Sequence, residues 1–197
     1  MKKALIAVDI QNDFVEGGAL GCKGGKSVAR GTKDLIQESE DRDAYSLYIS
    51  TQDWHKGEGC TNGGHIEDRP NFVDSWPAHC IGGTEGAEFC RPLEAIDFDY
   101  RILKGYETPS YSGFSDNAYE ANDESLSLVE ILESRGITEV DIVGIAFDYC
   151  VAQTAKDAAE KGFKVRVLKP LTATINKASE ERIVEDLASR GIEVLER

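Results

Sequence analysis

The sequence predicts an α/β fold: a doubly wound, mainly parallel six-stranded sheet with helices on both faces. Apolar, β-rich runs alternate with helical patterns along the chain, the order that builds parallel sheets. The runs are apolar nearly throughout, as expected of strands that are covered on both faces. A length of 197 residues suits one domain with a continuous core, so residues 1–197 are predicted to form a single domain.

The first half of the chain supplies three of the predicted strands. Residues 3–10 read KALIAVDI and lead to a helical pattern at 27–41. Residues 44–51 read AYSLYIST and lead to a long loop. Residues 100–105 read YRILKG and are followed by a loop and a helical pattern at 123–135.

The second half repeats the alternation. Residues 140–146 read VDIVGIA and precede a helical pattern at 150–161, and residues 164–169 read KVRVLK and precede another at 178–190. A last strand is predicted at 192–195, which reads IEVL. Links in such folds are normally short.

The stretch 53–99 departs from that rule. It is rich in Gly, Asp and Pro, and it carries all three histidines of the chain. Long ordered loops of this kind are usually functional, so we expect part of the site to lie here.

Charge and cysteine content limit the function classes. With 22 Lys and Arg against 36 Asp and Glu, the net charge of −14 would repel nucleic acid and anionic membrane surfaces. The N-terminus does not resemble a signal peptide, and no apolar run approaches the roughly 18 residues of a membrane span. Five cysteines, Cys22, Cys60, Cys80, Cys90 and Cys150, cannot all pair, which favours a reducing, cytoplasmic location.

Three reactive side chains stand at or just past the carboxyl ends of predicted strands: Asp9, Lys104 and Cys150. Ligands of open parallel sheets bind at this edge, and a strand order of 3-2-1-4-5-6 would place Asp9 opposite Cys150. A carboxylate, an ammonium and a thiol around one carbonyl indicate a cysteine amidohydrolase. The alternative is a buried, inert cysteine beside a structural ion pair.

Cys150 is predicted to begin a helix after a tight turn, where backbone N–H groups and the helix dipole favour a thiolate. The same N–H groups could line an oxyanion hole. Asp9 could accept the thiol proton if burial raises its pKa, while Lys104 would stabilise the anionic forms.

A divalent metal site is the second hypothesis. Asp53 and His55 stand two residues apart after a strand, and His79 returns from the long loop. Two imidazoles and a carboxylate suit Zn²⁺, Fe²⁺ or Mn²⁺. His65 is left open as a further ligand, a supporting group or a solvated histidine. Without a metal, residues 53–55 would be a surface turn with Trp54 packed inward.

Five sequence blocks resemble the nicotinamidases of the isochorismatase-like cysteine hydrolase family in order and spacing. They are DIQNDFVEGGAL at 9–20, TQDWH at 51–55, SWPAHCIGGTEGAEF at 75–89, KGYETPSYSGF at 104–114 and GIAFDYCVAQTAKDA at 144–158. The resemblance covers nearly the whole chain. It implies the fold of that family and a cysteine hydrolase domain that converts nicotinamide to nicotinate and ammonia through a thioester, a step of NAD salvage.

The resemblance also implies roles for individual residues. By position, Asp9, Lys104 and Cys150 match the catalytic triad, whereas Asp53, His55 and His79 match the ligands of one divalent metal, most often zinc, which would hold the pyridine nitrogen. Phe14 and Trp76 match the residues that sandwich the ring, and the backbone N–H groups of Ala146 and Cys150 match the oxyanion hole. The family pattern places a cis peptide between Ile145 and Ala146.

One position departs from the family, since Phe147 stands where relatives often carry a small polar residue, and an altered pocket wall is predicted. Asp13 and Tyr111 are expected to support the surrounding loops rather than to take part in the chemistry. Two other functions are kept: a related hydrolase acting on another small amide, carbamoyl compound or vinyl ether, and a catalytically silent metal-binding protein. The sequence leaves the oligomeric state open, a homo-oligomer included.

Overall fold

A seven-stranded sheet forms the centre of the molecule in a computed structural model that describes residues 2–57 and 60–196. The strands are β1 (Lys2–Val8), β2 (Leu47–Asp53), β3 (Tyr100–Lys104), β4 (Tyr119–Glu120), β5 (Ile137–Ile145), β6 (Lys164–Ala173) and β7 (Glu193–Leu195). Their order across the sheet is β4-β3-β2-β1-β5-β6-β7. All neighbouring strands run parallel except β3 and β4, which are antiparallel.

Helices cover both faces of the sheet, as predicted. They are α1 (Gly25–Glu40), α2 (Leu128–Ser134), α3 (Ala152–Glu160) and α4 (Glu180–Ser189). Successive side chains of a strand point to opposite faces, and β1 accordingly contributes to two cores. Leu5 packs in the core that contains Val28 of α1, whereas Ile6 packs in the core that contains Ile131 of α2 and Leu187 of α4.

The mainly parallel fold is confirmed, but the predicted count of six strands is wrong. The additional strand, β4, has two residues and pairs with the edge strand β3. It lies in a polar stretch rich in Ser, Asp and Asn, where no apolar run marks a strand. The six predicted strands lie in the order expected for them.

Three helices begin later than predicted. Residues Lys177–Ser179 form a 3₁₀ turn, so α4 begins at Glu180 rather than at residue 178. Ser127 caps α2: its side chain accepts a hydrogen bond from the Glu130 N–H, and the Glu130 carboxylate accepts one from the Ser127 N–H. Residues 123–126 therefore lie outside the helix. Before α3, residues Phe147–Val151 form a single π-helical turn, so the α-helix begins at Ala152 rather than at Cys150.

The long loop between β2 and β3 contains only short 3₁₀ turns and isolated bridges among its described residues. Next to it, β2 and β3 are aligned so that Asp53 pairs with Lys104. Among residues 2–57 and 60–196, none of the helices is both long and apolar enough to cross a bilayer.

Close contact between β1 and β5 depends on Gly144, which pairs with Val8 and has a φ of 126°. A Cβ atom at this position would overlap the Val8 carbonyl oxygen. Since Asp9 directly follows Val8, the same glycine helps to place the first residue of the candidate triad.

We expect Gly144→Ala to lower the free energy of unfolding by about 3 kcal/mol, because it adds both a clash and an unfavourable backbone conformation. Denaturant titration measures the loss. The matched control is Gly57→Ala, where a Cβ meets no described atom within 4 Å and the change should stay within about 0.5 kcal/mol. Equal losses in the two variants would contradict the close approach of β1 and β5.

Candidate active site

The carboxyl ends of β1, β3 and β5 bring Asp9, Lys104 and Cys150 together. Asp9 and Lys104 are fully buried, and Cys150 is 6% exposed. Lys104 Nζ lies 2.9 Å from Asp9 Oδ2 and 3.8 Å from Cys150 Sγ. Carboxylate oxygens of Asp9 and Asp53 and the Cys150 sulfur lie within 4.8 Å of one another. Residues separated by up to 141 positions thus share one buried cluster.

Asp9 is placed to accept a proton. Thr51 Oγ1 donates to its Oδ1 at 2.6 Å, whereas its Oδ2 accepts no well-aligned hydrogen bond from the described part of the chain, although Lys104 Nζ is near. Burial raises the pKa of Asp9 more than the Lys104 ammonium lowers it, and the Asp53 carboxylate adds to the rise. A buried carboxylate of raised pKa beside a thiol is suited to general base catalysis.

Lys104 is the cation of the cluster. Its ammonium contacts Asp53 Oδ1 as well as Asp9, and it donates to the Ser110 carbonyl at 3.1 Å. Burial alone would lower the pKa of Lys104, but the two carboxylates outweigh it and hold the pKa well above the usual value. Lys104 is therefore charged at any physiological pH.

Cys150 is a thiol in this arrangement, and the expectation that a helix start favours its thiolate is wrong. Burial raises the pKa of Cys150 well above its usual value, and the Asp9 and Asp53 carboxylates reinforce the effect against the opposing Lys104. The residue lies inside the π-helical turn, not at the first N–H groups of α3. Its proton must therefore be removed as the sulfur reacts.

The histidines of the long loop converge beside this cluster. Nitrogens of His55, His65 and His79 lie within 4.8 Å of one another, and the two Nε2 atoms of His55 and His79 are 3.2 Å apart. Asp53 Oδ2 lies 3.8 Å from each of those two atoms. The three predicted ligands are thus together, and His65, which the sequence left open, joins them.

A hydrogen bond at the far side of the ring fixes the tautomer of His79. Its Nδ1 is 2.8 Å from the Pro77 carbonyl, so Nδ1 must carry a proton and donate it, and the Nε2 lone pair faces His55. His55 Nδ1 is 2.7 Å from the Gly105 carbonyl and 2.6 Å from the Asn62 amide nitrogen. An Nε2 lone pair held in this way is available to a bound cation.

Burial lowers the pKa of each of the three histidines, to about 4 for His65, which keeps them neutral. Neutral imidazoles and a carboxylate are the donors that Zn²⁺ and similar divalent ions bind. The four side chains form a candidate site for a divalent metal.

Several polar residues hold these groups in place, and sequence reasoning missed two of them. The buried Gln11 side chain donates to the Asp53 carbonyl at 2.8 Å and accepts from the Asp53 N–H at 2.9 Å. Asn62 donates to the Gly105 carbonyl at 2.7 Å, beside the His55 ring. Gln11 and Asn62 both contact backbone that is distant in the sequence. The sequence therefore gives no local sign of either role, except that Gln11 lies in one of the motif blocks.

The supporting positions of Asp13 and Tyr111 agree with expectation. Asp13 Oδ2 accepts from the Cys80 N–H at 2.7 Å, next to His79. Tyr111 Oη accepts from the Trp76 indole N–H at 3.1 Å.

A narrow, mainly apolar cavity connects the cysteine cluster with the histidines. Its lining consists of Phe14, Leu20, Asp53, His65, Trp76, His79, Tyr111, Ala146, Tyr149, Cys150 and Ile175. The predicted ring-binding residues Phe14 and Trp76 and the predicted Ala146 all border it. The peptide between Ile145 and Ala146 is cis, as the family pattern implied.

Phe147 does not form part of the cavity wall, so the expected effect on the pocket is wrong. Its side chain is fully buried in the core with α2 and α3 and is absent from the cavity lining. Lys169 Nζ lies 4.5 Å from its ring centroid. Residue 147 therefore affects packing under the turn rather than the cavity lining.

Comparisons with known proteins agree with this geometry. The profile of the isochorismatase domain matches residues 3–197. A nicotinamidase/pyrazinamidase of Mycobacterium tuberculosis is 39% identical over 98% of both chains. A pyrazinamidase of Pyrococcus horikoshii, solved in complex with zinc, has a TM-score of 0.79 at 33% identity over 100% of both chains. PnC1 of L. infantum, solved in complex with nicotinate, has a TM-score of 0.81 at 32% identity over 98% of this chain and 92% of that one.

The profile match spans nearly the whole chain, and the mycobacterial relative aligns over almost its full length. On this evidence the chain belongs to the isochorismatase family.

Proposed function

We propose that the chain is an amidohydrolase that converts nicotinamide and water to nicotinate and ammonia through a thioester on Cys150. One observation carries the proposal: a single cavity is bordered by Cys150, which lies beside the buried Asp9–Lys104 pair, and by Asp53, His65 and His79 of the candidate metal site. Similarity to nicotinamidases, and to a structure that holds nicotinate, supports the choice of substrate.

In the first half of the reaction, the Cys150 sulfur attacks the carboxamide carbon while its proton passes to Asp9. The raised pKa of Asp9 suits it to hold that proton. The tetrahedral oxyanion collapses, the C–N bond breaks, and Asp9 returns the proton to the leaving ammonia. Lys104 stays charged and stabilises the anionic forms of its neighbours.

In the second half, a water molecule hydrolyses the thioester. Asp9 takes a proton from the water as it attacks, and the departing sulfur recovers that proton when the C–S bond breaks. Backbone N–H groups of Ala146 and Cys150 are the proposed donors to both oxyanions, in keeping with the position of both residues at the cavity.

Asp53, His55, His65 and His79 are the proposed ligands of a divalent metal, with zinc as the first candidate because the Pyrococcus horikoshii relative was solved in complex with zinc. When bound, the metal supplies a Lewis acid for the pyridine nitrogen. The apolar walls at Phe14 and Trp76 exclude water and orient the ring, so that the carboxamide lies at the Cys150 sulfur.

A related hydrolase acting on another amide would keep the triad but would have no use for the histidine group. A silent metal-binding protein would have no use for the buried triad. We further propose that residues 1–197 act as one cytoplasmic hydrolase domain, consistent with five unpaired cysteines.

Cys150→Ala should abolish ammonia release from nicotinamide and leave the fold and metal content unchanged, because the sulfur is the nucleophile. A coupled ammonia assay with metal analysis of the same preparation measures both. Cys60→Ser, on a partly exposed cysteine away from the cavity lining, is the matched control and should stay active. Appreciable turnover by Cys150→Ala would rule out the covalent mechanism.

Metal binding should distinguish the role of Asp53 from that of Asp9. Asp53→Asn and His65→Ala should each weaken Zn²⁺ binding by about 10²-fold or more, because each removes a proposed ligand. Asp9→Asn should retain the metal and lower kcat by at least about 10²-fold, since it removes the proton shuttle. Zn²⁺ titration of stripped protein gives the affinities. Equal metal loss in the Asp9 and Asp53 variants would contradict the division of roles.

The metal requirement should depend on the ring nitrogen. Removing the metal with a chelator should lower kcat/KM for nicotinamide far more than for benzamide, which lacks that nitrogen, because only nicotinamide loses orientation. The measurement is the ratio of the two specificity constants before and after chelation, with Zn²⁺ restored as the control. An unchanged ratio would refute orientation through the pyridine nitrogen.

A further inference from the structure

The loop after β6 forms the outer wall of the cavity. Ile175 in this loop is 47% exposed and borders both the cavity and an adjoining surface groove. The groove runs between Leu20, Phe72 and Ile175. Because Cys150, Asp53 and His79 are at most 6% exposed, they define the inner end of the cavity, and Ile175 lies at its mouth.

Asp148 links this wall to the turn that carries Cys150. Its Oδ1 accepts from the Ile175 N–H at 3.0 Å, and its Oδ2 accepts from the Asn176 N–H at 2.8 Å. Both oxygens of one carboxylate thus hold two consecutive backbone donors. Asp148 does not itself border the cavity, and no step of the proposed mechanism uses it.

Glu180, at the start of α4, holds the other side of the loop through hydrogen bonds and ion pairs. Its Oε1 accepts from Thr174 Oγ1, from Lys177 Nζ at 2.8 Å and from Lys169 Nζ at 3.0 Å. Burial alone would raise the pKa of Glu180, but these donors outweigh it and lower the pKa to about 2, so the carboxylate stays charged. The wall is therefore anchored on both sides, with Asp148 holding the end next to the nucleophile.

We infer that Ile175 is a specificity-determining residue that limits substituents on the substrate ring, and that Asp148 is the positioning residue that holds it at the mouth. The inference rests on the proposed function. It restricts the substrate class to aromatic carboxamides whose outward-facing ring carbon carries at most a small apolar group.

Ring geometry identifies that outward carbon. In nicotinamide the ring nitrogen and the carbon that bears the carboxamide flank C2, and both are directed to the inner end of the cavity in the proposed pose. C5 lies opposite C2 and therefore faces the mouth. A methyl group on C5 would meet Ile175, Leu20 and Trp76, the residues shared by the cavity and the groove.

The test compares kcat/KM for nicotinamide and 5-methylnicotinamide. Ile175→Ala should raise the ratio of 5-methylnicotinamide to nicotinamide about tenfold, the discrimination typical of one methyl group in an apolar pocket. Asp148→Ala should raise it in the same direction, and Asp148→Asn, which keeps one acceptor oxygen, should recover part of the wild-type ratio. The double variant should exceed neither single variant, because the two residues act on one wall.

Controls separate this effect from general damage. Val73→Ala, on an exposed apolar side chain outside both linings, and Glu181→Ala, on an exposed acid of α4, should leave the ratio unchanged. If Asp148 only stabilises the turn, its removal lowers both specificity constants equally, and the inference is overturned. An unchanged ratio in Ile175→Ala, or additive effects in the double variant, also overturns it.

A wild-type protein that hydrolyses neither amide would refute the proposed function instead. In that case, calorimetry measures the affinities of nicotinate and 5-methylnicotinate for the same variants. The ratio of these affinities then tests whether Ile175 and Asp148 limit the ring substituent. No change in their ratio, or no binding, counts against the inference.

Discussion

The buried ammonium of Lys104 is the interaction on which the site depends. Even after relaxation, burying one ion costs several kcal/mol, so Lys104 is tolerated only because Asp9, Asp53 and the Ser110 carbonyl surround it. These partners come from the ends of β1 and β2 and from the loop beyond β3. Removing one partner of such a group typically costs about 3–5 kcal/mol, because the remaining charge is left uncompensated. The same contacts therefore fix the geometry of the thiol and the stability of this sheet edge.

Asp53 belongs to both halves of the site. Its Oδ1 contacts Lys104, while its Oδ2 faces His55 and His79, and Gln11 fixes its backbone. One carboxylate thus transmits charge between the candidate metal site and the cysteine cluster. Positive charge at the histidines would attract the Asp53 carboxylate and weaken its interaction with Lys104. The Lys104 ammonium would then interact more strongly with Asp9. The two groups are parts of one electrostatic unit rather than neighbours by chance.

Sequence reasoning located the strand-end residues well because parallel strands end at one edge, so Asp9, Asp53 and Lys104 follow from chain order. It could not resolve His65, since the long loop lacks the periodicity that orients side chains. Asn62 acts on backbone 43 residues away, and β4 is two residues long, so neither left a local pattern. Phe147 lies in the core and belongs to a π-helical turn, which the sequence pattern did not predict. The single-domain extent, the location and the catalytic roles stay predictions.

The pairing of Asp53 with Lys104 across β2 and β3 also bears on how the chain avoids misalignment during folding. Sliding β3 by two residues would keep the same side chains on each face of the sheet, so hydrophobic packing alone discriminates weakly against that error. The slide would, however, carry the ammonium about 7 Å from its carboxylates and leave three charges buried without partners. The buried Lys104 ammonium adds little net stability to the folded protein. It nevertheless makes the shifted alignment of β2 and β3 much less favourable in free energy than the correct one.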